Sequence, residues 1–142
     1  SVLTACATPG QAYWDAKVKE LCEKDGGITV FERVEISRKD HPDWEYATNG
    51  ELIVPSERYC KNTCEFYISE TQQSYLSKQP EVWRRISKLI RSSDKVVIAQ
   101  SVNYARLGGD VIKIDHPSTY SCVQVGSFKN QSLSSAIMIK GE

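Results

Sequence analysis

The chain predicts an α+β fold: one N-terminal helix packed on a curved, mostly antiparallel sheet of four to six strands, with two disulfides. Three observations carry that expectation. Apolar residues recur at helical spacing near the start of the chain. Runs rich in β-branched and aromatic residues, divided by Gly, Asn and Ser, fill most of the rest. The cysteines number five, an odd count that calls for one unpaired thiol.

The helix opens at Thr8-Pro9-Gly10-Gln11, which fits a capping box with Thr8 as N-cap, Pro9 at N1 and Gln11 at N3. Trp14, Val18, Leu21 and Cys22 then fall on one apolar face, while Asp15, Lys17, Lys19, Glu20 and Glu23 cover the rest. Gly26-Gly27 supplies the left-handed stop. Trp14 reads as a core anchor, and Cys22 on the buried face suits a structural bridge.

A strand follows, with Ile28, Val30, Val34 and Ile36 on one face. Residues 37–43 form a polar connection, in which Asp40 and His41 are adjacent and point apart. Asn49-Gly50 between Trp44–Thr48 and Glu51–Val54 predicts a tight hairpin, and Pro55 ends it. Phe66–Tyr75 reads as a strand. Residues 82–91 fit a helical stripe at Val82, Ile86, Leu89 and Ile90. The short turn Ser92-Ser93-Asp94-Lys95 into the clear strand Val96–Arg106 favours a long hairpin, so 82–91 is expected as strand. Gly108-Gly109-Asp110 is a turn, since no strand–GxGxxG–helix context surrounds it. Val123–Phe128 and Leu133–Ile139 are expected as a last pair of strands around Lys129-Asn130-Gln131.

Size and charge narrow the function classes. A chain of 142 residues suits a single domain, here residues 7–142. Basic and acidic residues number 18 each, so no global field draws nucleic acid or anionic lipid. No run reaches the roughly 18 apolar residues of a membrane span.

Leu3-Thr4-Ala5-Cys6 resembles a lipobox, the cleavage and acylation signal of bacterial lipoproteins. That chemistry needs a thiol to carry the diacylglycerol and small residues before it. The resemblance implies that residues 1–6 hold the remnant of a signal peptide and the lipobox, with Cys6 as the lipid attachment site. Two or three acyl chains, at about 0.8 kcal/mol per buried CH₂, anchor a protein essentially permanently. Ala7 rather than Asp after the cysteine is similar to the signal for the outer membrane. Membrane contact is then expected only through the N-terminal lipid.

With Cys6 set aside, four cysteines remain, and an exported protein pairs them. Cys60 and Cys64 flank the polar Lys61-Asn62-Thr63, which a short bridge closes, leaving Cys22 and Cys122 to pair. The competing zinc reading is weaker: Cys-x₃-Cys is not the usual knuckle, and His41 and His116 lack a second ligand nearby. No metal and no cofactor are expected.

Two clusters invite a functional reading. Arg84, Arg85, Lys88 and Arg91 are a candidate partner-binding patch, set against a solvated basic face. Asp115, His116 and Ser118 form a local Asp-His-Ser group, yet a triad needs convergence from separated segments and a nucleophile elbow, and neither is evident. Asn130-Gln131-Ser132 is formally a glycosylation sequon, expected to be idle in a bacterial protein.

Three stretches, Ala12–Gly27, Arg91–Asp110 and His116–Cys122, resemble a loose group of small uncharacterised bacterial cell-envelope proteins. The resemblance covers about a third of the chain and departs after Cys122. It implies fold and location, and no activity. The expectation is therefore a non-enzymatic lipoprotein on the periplasmic side or surface of the outer membrane, binding an envelope protein and no nucleic acid. Two alternatives stand beside it: an inhibitor of a cell-wall hydrolase, similar in size and bridging to lysozyme inhibitors, and a hydrolase using Asp115, His116 and Ser118.

Overall fold

The computed structural model describes residues 9–42, 44–48, 50–60, 64–110, 118–129 and 131–140. Within them lie α1 (Pro9–Asp25), β1 (Gly27–Val30), β2 (Val34–Ser37), β3 (Phe66–Lys78), β4 (Glu81–Arg91), β5 (Val96–Leu107), β6 (Thr119–Ser121), α2 (Cys122–Val125) and β7 (Ile137–Lys140). The main sheet has the order β1-β5-β4-β3, with β6 also paired to β5. A separate two-stranded sheet joins β2 to β7 in parallel, from Val34 opposite Ile137 to Ser37 opposite Lys140. The expected α+β architecture with a mostly antiparallel sheet is what the chain forms.

Residues 82–91 are strand, inside β4. The Gln79-Pro80 and Ser92–Lys95 turns set β4 between two long partners, so its backbone groups are satisfied from both sides. Val82, Trp83, Ile86 and Ile90 also suit a pleated surface better than a helix. Asp94 caps the second turn: its carboxylate accepts from the Val96 N–H at 3.2 Å.

Three expected strands are corrected. Ile28–Ile36 is not continuous. The Phe31 and Glu32 N–H groups both donate to the Ile98 carbonyl, at 2.8 and 3.1 Å, and the chain then turns away to pair elsewhere as β2. Val123–Phe128 begins instead as a helical turn. Ser121 at its N-cap accepts from the Val123 N–H, Gln124 bonds back to the Ser121 N–H, and Gly126 closes the turn at φ 89°. Leu133–Ala136 is a 3₁₀ turn, and of the last expected strand, Leu133–Ile139, only the end from Ile137 on is extended, as part of β7. The hairpin at Asn49-Gly50 reduces to one antiparallel bridge, Tyr46 with Leu52, and Asn49 itself lies outside the described residues.

The chain divides into two compact units. Residues 1–27, 72–85 and 102–130 form the first. Its buried side chains include Val18 and Cys22 of α1, Val82 of β4, Val102, Tyr104 and Ala105 of β5, and Cys122. Trp14, expected as a core anchor, is only half-buried, with its ring edge-on to Tyr13 at 5.2 Å. The Cys22–Cys122 disulfide (S–S 2.05 Å, Cα–Cα 5.3 Å) fastens the end of α1 to the start of α2. A Cβ on Gly26 would lie 2.8 Å from the Cys122 Sγ, so this position has no room for a side chain.

Residues 28–71, 86–101 and 131–142 form the second unit. Its core gathers Ile36, Leu52, Phe66, Leu89, Ile98, Ala99, Leu133, Ala136 and Ile137. Cys60 and Cys64 stand at disulfide distance, with Cα atoms 5.6 Å apart.

Candidate functional site

Of the four basic residues singled out from sequence, Arg84 and Arg85 belong to the first unit and Lys88 and Arg91 to the second. Alternation along β4 sends Arg84 and Lys88 to one face and Arg85 and Arg91 to the other. Two of the four are committed to internal pairs. In the first unit, Arg84 Nε donates to the Tyr104 hydroxyl at 2.9 Å and its guanidinium lies 3.6 Å from Asp25. Tyr104 in turn donates to Asp25 Oδ2 at 3.1 Å, closing a three-membered network. The hydrogen bond that Arg84 donates to Tyr104 raises the Arg84 pKa, while burial pushes the Tyr104 phenol up. In the second unit, Arg91 forms ion pairs with Asp94 and Glu32, and its hydrogen bonds hold the Asp94 carboxyl below its ordinary value. Lys88 makes no ion pair among the described residues.

Arg85 is different. Its guanidinium lies over the Trp83 ring at 4.5 Å from the centroid and donates to Gln73 Oε1 at 3.2 Å. Gln73 Nε2 then donates to the Tyr75 hydroxyl at 3.1 Å. The strip Trp83–Arg85–Gln73–Tyr75 thus links two adjacent strands of the first unit through planar, mutually bonded side chains. Tyr75 is 55% exposed, and Arg85 has no carboxylate partner among the described residues. Stacking holds the guanidinium in place and leaves several of its five donors free for a carboxylate or carbonyl. Trp, Tyr and Arg are the residue types that anchor protein interfaces. Sequence reading found Arg85 and missed its companions, although Trp83 and Arg85 share a face by simple alternation.

Ser118 is placed within the first unit, while Asp115 and His116 lie outside the described residues. The Ser118 hydroxyl donates to Asp110 Oδ1 at 2.6 Å and accepts from Gln11 Nε2 at 3.1 Å and from the Arg106 guanidinium at 3.0 Å. One donor and two acceptor sites are all a hydroxyl has, so Ser118 is fully engaged. Its backbone N–H also donates to Asp110 Oδ2 at 3.1 Å. These bonds from Ser118 hold the Asp110 carboxyl below its ordinary value, the wrong direction for a general base near neutrality. Arg106, only 3% exposed, completes the group by bonding Asp15 and the Gly108 carbonyl. This constellation of Gln11, Asp15, Arg106, Asp110 and Ser118 ties α1 to the end of β5, and sequence reading did not assemble it.

A concavity belongs to the second unit. Trp44, Leu52, Ile53, Val54, Pro55 and Phe66 line a cleft of about 310 Å³, together with Glu45, Cys64 and Glu65. His41 stacks on Trp44 at 3.8 Å, and Trp44 meets Phe66 edge-on at 6.3 Å. No group of three or more His, Cys, Asp or Glu suited to a metal ion occurs among the described residues. No helix among them is long and apolar enough to cross a membrane. Cys6 and the whole Leu3–Cys6 motif fall outside the described residues. Compared with protein-family models, characterised proteins and solved structures, the chain matches none.

Proposed function

We propose that this chain is a lipid-anchored, non-enzymatic binding module of a bacterial cell envelope. The observation that carries the reading is the pairing of its thiols. Cys22 with Cys122 and Cys60 with Cys64 account for four of five cysteines, and the remaining one, Cys6, is the residue that follows Leu3-Thr4-Ala5. Disulfides belong to oxidising compartments, and a lone thiol beside small residues suits acylation. The saturated Ser118 group supports a structural role for that cluster. The Trp83–Arg85–Gln73–Tyr75 strip is the surface best suited to an envelope protein partner.

Two experiments test the reading. Labelling with a radioactive fatty acid in a bacterium carrying the full precursor should mark the protein, and Cys6→Ser should abolish the mark. An unlabelled wild type would sink the anchor. A photo-crosslinking residue at Arg85 should trap one envelope protein in intact cells, whereas the same residue at Val123, which is 64% exposed, should not. Equal trapping at both positions would remove the strip from the reading.

A further inference from the structure

The cleft of the second unit has two walls whose backbones are fixed. On one side the Ile53 N–H donates to the Glu45 carbonyl at 2.9 Å and the Ala47 N–H to the Glu51 carbonyl at 2.8 Å, which pairs residues 45–47 with 51–53. On the other side the Ser92 N–H donates to the Glu65 carbonyl at 2.8 Å, just before Phe66 opens β3. The Ile68 N–H bonds the Pro55 carbonyl at 2.9 Å and ties the walls together. Between them Leu52 and Phe66 are buried. Trp44 is held by His41, stacked on it at 3.8 Å, and by Phe66, edge-on at 6.3 Å, so its indole is positioned before any ligand arrives. At about 310 Å³ the space falls at the small end of the range for small-molecule sites.

Charge complementarity chooses the occupant. Glu45 and Glu65 are exposed residues of the lining, and neither forms an ion pair among the described residues. No Lys, Arg or His lines the cleft, since His41 covers Trp44 from outside it. A cation that brings apolar surface gains from both parts: it excludes water from the cleft, which strengthens its attraction to the carboxylates, and it meets aromatic rings. An anion meets repulsion there, and a neutral apolar molecule leaves both carboxylates unused. We infer that the cleft binds a small organic ammonium, its ring or short alkyl body against Trp44, Leu52 and Phe66 and its charge toward Glu45 and Glu65. The inference stands apart from the lipid anchor and from the Arg85 strip, which lies in the first unit.

Titration of the oxidised chain carrying Cys6→Ser with phenethylammonium, followed by NMR of the three indole N–H signals, tests this. The Trp44 signal, assigned through Trp44→Phe, should move saturably with a Kd of about 1 mM or tighter. Those of Trp14 and Trp83, in the first unit, should stay in place. Phenethyl alcohol has the same shape without the charge and should bind at least about tenfold more weakly, while hydrocinnamate should not move the signal. Glu45→Gln with Glu65→Gln should weaken the amine about tenfold and leave the alcohol unchanged. Both residues are exposed, so the double variant should keep the thermal midpoint of the parent. A Trp44 signal that stays put, or equal movement of all three indoles, overturns the proposal. Equal affinity for amine and alcohol marks a cleft for the apolar side chains of a partner protein and overturns it as well. So does amine binding that survives the double variant undiminished.

Discussion

The guanidinium of Arg106 closes on the carboxylate of Asp15, 91 residues earlier in the chain. The Arg106 side chain is 4% exposed and that of Asp15 33%. A cation removed from water this completely must be met by a counter-charge and by acceptors, and here Asp15, the Gly108 carbonyl and Ser118 all serve. The pair therefore locks α1 to the end of β5.

Asp15→Ala should leave the buried Arg106 without its counter-charge and destabilise the chain by about 2–4 kcal/mol. Arg106→Met with Asp15→Leu should recover most of the loss, because the desolvation cost disappears with the charges. Urea unfolding followed by circular dichroism reads both. A double variant no better than the single one would mean the geometry, and not the charge, is what the site needs.

The Cys22–Cys122 bridge closes a sequence separation of 100 residues, for which loop entropy gives about 4–5 kcal/mol. Cys122→Ser should lower stability by about 2–5 kcal/mol and shift the thermal midpoint accordingly. Mass spectrometry of the non-lipidated chain, alkylated without reductant, should find one modified thiol, at Cys6. Three modified thiols would break the pairing.

Gly26→Ala sets a Cβ 2.8 Å from the Cys122 Sγ and from the Cys22 carbonyl. Two of these neighbours belong to a disulfide and a helix backbone, which move reluctantly. A loss of about 1–3 kcal/mol is expected in thermal unfolding. Gly50→Ala tests the other kind of glycine. Nothing lies within 4 Å of its Cβ, so any loss there comes from φ 90° alone.

Acid stability should report Asp110. Its ordinary carboxyl value is 3.8, and the bonds from Ser118 lower it in the folded chain. A lowered folded value stabilises above 3.8, and that contribution is lost as pH falls through the folded value. Ser118→Ala removes the largest cause, so the Asp110 carboxyl should titrate at higher pH by NMR. The acid-unfolding midpoint should move up with it. An unmoved Asp110 titration would show that the Gln11 and Arg106 contacts suffice.

Much of the fold was legible where neighbours in sequence are neighbours in space. The Pro9 start and Gly26 stop of α1, and the Ser92–Lys95 turn that made β4 a strand, are local signals of this kind. What was misread carried two signals at once. Val123 and Val125 alternate like a strand, but Ser121-x-x-Gln124 is a capping box, and the cap prevailed. The pairing of β2 with β7 and the Asp15–Arg106 lock join segments about a hundred and about ninety residues apart. Nothing in either partner alone announces the other. Arg106 reads in sequence as one more cation on an open sheet face, and only the carboxylate from α1 explains its burial.

The order of the thiols along the chain has a consequence for how the protein is made. As the chain emerges, Cys22 is followed by Cys60 and Cys64, and its native partner arrives last, at Cys122. An oxidase joining cysteines as they appear would link Cys22 to Cys60 and strand the rest. The nested pairing thus demands either that the Cys60–Cys64 clip close first or that a wrong bridge be exchanged by a disulfide isomerase. The long bridge cannot close until Cys122 is available.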